Sequence, residues 1–216
     1  MELRGIMKWS YEVMEFITRV VYVQFLWIIS LIPGLLLFGI APATVAAYKV
    51  AANWATGKGD LSILKTFFSQ YKNNFIRSNI LFLPLLAISN VLYINFRYAM
   101  QIDGLLFYGI IVASTVALAL LILTILYALP LYVLKELPLK NYYKTALLLS
   151  FHRPIHTFAM VLVAYTIYQL IMLIPGLLPI LPIGLFIFIS SKIASDAISR
   201  SDTTKKNAGI LKEEIA

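Results

Sequence analysis

Apolar residues run almost unbroken through five stretches of this chain, at about 18–40 and onward, 80–96, 105–134, 155–174 and 177–193, and polar residues collect between them. The middle stretches have the roughly 17–25 residues that a membrane-spanning helix needs. Helices are expected there because a backbone in hydrocarbon must satisfy its own N–H and C=O groups, which a helix does within itself. The first stretch admits two readings. It is one span ending near Ile40, or a hairpin with legs at about 18–32 and 35–54 that turns at Pro33-Gly34.

The hexapeptide LIPGLL stands at 31–36 and again at 173–178. Proline lacks the helical N–H donor and glycine permits the dihedrals of a reversal, so Pro33, Gly34, Pro175 and Gly176 are expected turn residues, with Gly39 and Pro42 following the first pair. Charge separates the two readings of the first stretch. All but one of the 18 Lys and Arg residues fall in four clusters, around 4–19, 49–77, 135–153 and 192–212, Arg97 being the exception. A hairpin turning outside at Pro33-Gly34 puts all four clusters on one side, as the positive-inside tendency requires. The expectation is therefore an all-α polytopic membrane bundle of about six transmembrane helices, alternatively five, with both termini cytoplasmic. The order hairpin, surface helix, span in the first half is mirrored in the second, which has the ingredients of an internal pseudo-symmetry.

Two basic segments carry helical periodicity. In residues 60–75, Leu61, Leu64, Phe68, Tyr71 and Phe75 recur at spacings of three and four, with Asp60 placed to cap the start. Residues 141–151 form a shorter version, with Asn141 as cap and Tyr142, Tyr143, Ala146, Leu147 and Leu149 on the apolar side. Both are expected as interfacial amphipathic helices. Lys65, Lys72, Arg77, Lys140, Lys144 and Arg153 give them a basic face, for interfacial anchoring, anionic headgroups or a docking partner.

Composition agrees with this pattern. The chain of 216 residues is 61% hydrophobic and 13% charged, with mean hydropathy +0.85, unlike a soluble domain. One transmembrane domain is expected over 1–200 and a short polar cytoplasmic tail over 201–216. Residues 1–19 mix Glu2, Glu12 and Glu15 with Arg4, Lys8 and Arg19, which does not fit a cleaved signal peptide. The net charge of +8 is read as topology rather than nucleic-acid binding. The chain has no cysteine, so no disulfide, thiolate metal site or cysteine nucleophile can form.

Little else carries chemistry. His152 and His156 are four apart, but Pro154 intervenes and no carboxylate is near in sequence, so surface histidines are expected and no metal. No HExxH, GxSxG, P-loop or GxGxxG pattern occurs, and neither an enzyme nor a cofactor is expected. Among ionisable residues, Lys49 is expected to snorkel, and Arg97 with Asp103 and Lys192 with Asp196 to form ion pairs. Polar residues inside spans, Gln24, Asn90, Asn95, Thr166 and Gln169 above all, either bond between helices or line a wet cavity. Ala43, Ala47 and Ala51 form a small-residue stripe for close helix packing.

The stretch GIAPATVAAYKVAANWATGKGDLSILKTFFSQYKNNF, residues 39–75, resembles the signature of the YesL-like family of bacterial membrane proteins, a domain of unknown function. Gly39, Pro42, Ala43, Ala47, Trp54, Phe67, Lys72, Asn74 and Phe75 carry the resemblance, and ALLLSFHRP at 146–154 resembles the family's second half. The pattern has glycine before the proline where this chain has Ala41. The resemblance implies a small protein of the bacterial inner membrane, often associated with carbohydrate uptake, and brings no catalytic residue. Three readings stand: a non-enzymatic accessory protein beside a carbohydrate ABC importer; a small transporter or channel; and a regulator that binds lipid.

Overall fold

The computed structural model describes the backbone over residues 2–55 and 62–215 and side chains over 7–55 and 62–202. Among the described residues every regular element is helical. These are α1 (Glu2–Leu31), α2 (Leu37–Ala55), α3 (Ile63–Ala99), α4 (Leu105–Leu134), α5 (Leu139–His152), α6 (Pro154–Leu173) and α7 (Pro182–Ile215), with a 3-10 turn at Pro175–Leu177. Five have the length and apolarity to cross a bilayer: α1 over Met7–Leu31, α3, α4, α6, and α7 over Pro182–Asp202. The chain is an all-α, multi-pass membrane protein.

The hairpin reading of the first stretch describes the backbone: α1 and α2 are separate helices joined across Pro33-Gly34. α1 begins far earlier than the expected leg, because its polar start is compatible with helix and Lys8–Glu12 and Glu15–Arg19 pair one turn apart. α2 is not among the five apolar spans. Ten of its 19 residues are buried, so protein rather than lipid surrounds much of it.

Two expectations on the connecting segments need correction. The surface helix of residues 60–75 and the following span are one helix, α3, because residues 76–79 contain no breaker and Pro84 is tolerated inside it. Asp60 and Leu61 lie outside the described residues; Ser62 stands at the start, its Oγ 3.4 Å from the Lys65 amide. In α5 the N-cap is Pro138 and not Asn141, whose own amide donates to the Pro138 carbonyl at 2.9 Å. α7 continues to Ile215, so its backbone is helical through the residues expected as a polar tail.

The chain forms two compact units, Met1–Phe75 with Val161–Lys192, and Ile76–Met160 with Ile193–Ala216. In the first, Ala43, Ala47 and Ala51 are all buried and Trp27 Nε1 donates to Thr44 Oγ1 at 3.0 Å. A Cβ on Gly39 would lie 2.9 Å from Leu31 Cα, so glycine sets the approach of α2 to α1. The start of α7 packs on both. A Cβ on Gly184 would sit 2.6 Å from the Val20 carbonyl oxygen, and Phe188 meets Phe16 and Trp54 at centroid distances of 6.0 and 5.1 Å. Residue numbers fall along α1 as they rise along α7, so the two helices are antiparallel. Both Pro-Gly turns therefore lie at the same end of this unit.

The two identical hexapeptides do not fold alike. In the first turn Leu35 and Leu36 take φ of 50° and 63°, the left-handed region, and the Leu36 amide donates to the Leu31 carbonyl at 2.8 Å. In the second, Pro175–Leu177 is a 3-10 turn and Leu178 has φ −53°. Packing decides the difference: Gly34 is pressed against Gly39, whereas a Cβ on Gly176 would meet nothing within 4 Å.

In the second unit, α5 lays Tyr142, Ala146 and Leu149 into the core. Tyr127 Oη and Thr157 Oγ1 are 3.1 Å apart in the interior, and Thr157 Oγ1 also donates to the Ser150 carbonyl at 2.8 Å. α4 divides along its length, with Leu126–Tyr132 near its C-terminal end buried. In its most apolar 18-residue window only 11% is buried, which leaves the side chains of that part for lipid.

Candidate functional site

The most elaborate polar construction is the connection between α4 and α5. Tyr142 Oη donates to the Lys135 carbonyl at 2.8 Å and accepts from the Leu137 amide at 2.9 Å, so a buried tyrosine holds both ends of the loop. Arg77 Nη2 donates to the Leu137 carbonyl at 3.2 Å, its guanidinium 5.6 Å from the Tyr132 ring, and Lys135 pairs with Asp202. Beside it, Tyr143 Oη donates to the Leu81 carbonyl at 2.7 Å. Burial pushes the Tyr143 phenol above its ordinary value of 10, which keeps the donating proton in place.

The six basic residues singled out in the sequence divide by what they touch. Arg77 is occupied with Leu137 and Tyr132, and Arg153 is half-buried at the C-cap of α5. Lys65 and Lys72 on α3, and Lys140 and Lys144 on α5, are exposed, and none has a carboxylate partner among the described residues. The first pair does not sit where the expected topology puts it. Tyr71 Oη donates to the Ser30 carbonyl at 2.8 Å and lies 2.9 Å from where a Gly34 Cβ would be. A tyrosine side chain is far shorter than the ~30 Å hydrocarbon layer, so Lys72 lies near the first turn and not a membrane thickness away from it.

The intramembrane polar residues do not converge. Gln24 is buried and its Oε1 accepts the Gly184 amide at 2.8 Å, satisfying a first-turn N–H of α7 that has no helical partner. Thr166 donates to the Leu162 carbonyl within its own helix at 2.8 Å, Asn90 does the same to Leu86 at 2.9 Å, and both are exposed, as are Asn95 and Gln169. Of the turn residues, Gly34, Gly39 and Pro42 are packed, while Pro175 and Gly176 are exposed.

His152 and His156 fall on different helices, α5 and α6, so the four-residue spacing does not put them on one face. His152 Nδ1 lies 2.8 Å from the Leu148 carbonyl, and His156 Nε2 lies 2.9 Å from Asp196. Asp196 also meets Arg200 at 3.0 Å; its partners are these two and not Lys192. Arg97 and Asp103 are exposed and do not pair. Among the described residues no three His, Asp or Glu gather as metal ligands would. Sequence reasoning placed Tyr71, Tyr142 and Tyr143 only as apolar positions, because periodicity counts tyrosine as apolar, although each hydroxyl here bonds a backbone group, a distant one for Tyr71 and Tyr143.

Fold and contacts define a multi-pass helical membrane protein with buried polar groups joined helix to helix and basic side chains free at its polar segments. A family model described as "Protein of unknown function, DUF624" matches residues 20–96. The uncharacterized protein YteU of Bacillus subtilis is 30% identical over 192 residues, 83% of this chain and 80% of that protein. YesV of the same organism is 29% identical over 195 residues (90% and 94%), and YesL is 28% identical over 144 residues (67% and 68%). The chain belongs to this YesL-like family, whose function is unknown. No solved structure matches it significantly.

Proposed function

We propose that the protein is a non-enzymatic accessory component of the bacterial cytoplasmic membrane, working beside a carbohydrate ABC importer. The observation that carries this reading is the exposed start of α3. Leu64, Lys65, Phe68 and Lys72 are all exposed on this stretch, and the two ammonium groups have no acidic partner among the described residues. A mixture of exposed apolar and unpaired basic side chains on one rigid helix suits a protein contact better than plain solvation. The carbohydrate association comes from the YesL-like resemblance. The accessory reading is favoured over a transporter because these polar residues do not converge on one cavity: Gln24 is buried against the α7 amide, while Thr166 and Asn90 are exposed and bond to their own helices.

The test is co-purification from native membranes with the membrane subunits of a carbohydrate ABC importer. The Lys65→Glu/Lys72→Glu variant is expected to lose the importer subunits while accumulating in the membrane as the wild type does. Undiminished recovery with the reversed charges would contradict the reading.

A further inference from the structure

Within the second unit, α3, α4 and α5 line a half-open groove of about 400 Å³, inside the ~300–1,000 Å³ range of ligand sites. Pro84 and Ile88 line one side, Ala117, Leu121 and Thr124 the other, and Tyr143 one end. The lining is graded. Tyr143 and Thr124, the two hydroxyl-bearing residues, stand toward α5, and the walls from there to Ile88 and Ala117 are hydrocarbon. Both hydroxyl protons are already donated, to the Leu81 and Leu120 carbonyls, so the groove offers no free hydroxyl donor. From Thr124 to Ala117 the slot follows α4 for seven residues, about 10 Å. Ile88 is 48% exposed, which opens the slot sideways.

A slot that is apolar along its length and open at its flank takes an alkyl chain, and the residues around Tyr143 say what the chain is attached to. Lys140 and Lys144 are one turn apart on α5, bracketing Tyr143 in sequence, and both are exposed without a carboxylate partner among the described residues. We propose that this slot holds an acyl chain of an anionic phospholipid, with Lys140 and Lys144 holding its phosphate. The tail lies between α3 and α4, and the headgroup rests on α5. This site shares no residue with the α3 surface assigned to a protein partner and needs no partner to form.

The test uses the purified full chain in mild detergent. Native mass spectrometry compares retention of phosphatidylglycerol with that of phosphatidylcholine carrying the same acyl chains. Wild type should retain phosphatidylglycerol preferentially. Each of Lys140→Gln and Lys144→Gln should lower that preference about fivefold, as expected for one basic residue near an anionic headgroup, while Arg97→Gln, which removes an exposed charge from the other end of α3, leaves it unchanged. A second measurement needs no variant: phosphatidylglycerol bearing a diazirine in its acyl chain should cross-link, on irradiation, to peptides containing 84–88 and 117–124. Equal retention of the two lipids, a preference indifferent to Lys140 and Lys144, or cross-links spread evenly over the exposed helices would each overturn the proposal.

Discussion

Gly34 and Gly176 hold the same place in two identical hexapeptides, yet only one of them is under steric constraint. A side chain at Gly34 would fall 2.2 Å from Gly39 Cα and 2.9 Å from the Tyr71 hydroxyl, while one at Gly176 meets nothing within 4 Å. Gly34→Ala must displace backbone, and is expected to cost about 1–3 kcal/mol as an overpacked site does. Gly176→Ala should fall within about 0.5 kcal/mol of the wild type. Thermal unfolding of the two variants in detergent separates them, and equal losses would contradict the packing described here. The same turn stores strain in Leu35 and Leu36, whose left-handed dihedrals cost roughly 1–2 kcal/mol each. Neighbouring contacts hold it there, among them the Leu36 to Leu31 and Tyr71 to Ser30 hydrogen bonds.

At the scale of elements, the start of α3 leans on the tip of the α1–α2 hairpin. Thiols at Leu35→Cys and Lys72→Cys, introduced singly into a chain with no cysteine of its own, should therefore label from the same face of the membrane with an impermeant reagent. Labelling from opposite faces would show that the hairpin separates them. Much of the element pattern was legible beforehand. The apolar run at 105–134 coincides with α4, and that at 155–174 is displaced by one residue from α6, because long unbroken apolar runs leave the backbone no alternative to helix. The break at Pro33-Gly34 was legible because proline and glycine act locally. The fusion of two segments into α3 was not, since polarity changes along residues 76–79 without any residue that stops a helix. The clasp of Tyr71 on Ser30 joins positions 41 apart, and no local pattern encodes it. Nor could two copies of LIPGLL foretell two different turns, because what differs is the helix packed against each.

For the whole molecule, the candidate site was legible as a composition and less as a geometry. The four free lysines stood out because a membrane chain exposes few charges, and they remain exposed and unpaired among the described residues. The polar residues within spans carried two readings in the sequence, and for Gln24 the contact is one between helices: it serves as a cap for α7 across 160 positions, a use that only the fold discloses. A chain that binds others at its polar segments, as proposed, and one that conducts a solute make opposite predictions for transport. The most direct measurement is sugar uptake by proteoliposomes containing the purified chain alone, a carbohydrate ABC importer alone, and the two together. An accessory component gives no uptake alone and raises uptake through the importer, and the increase is lost with Lys65→Glu/Lys72→Glu. Saturable uptake by the chain alone would contradict the account and make it a transporter in its own right.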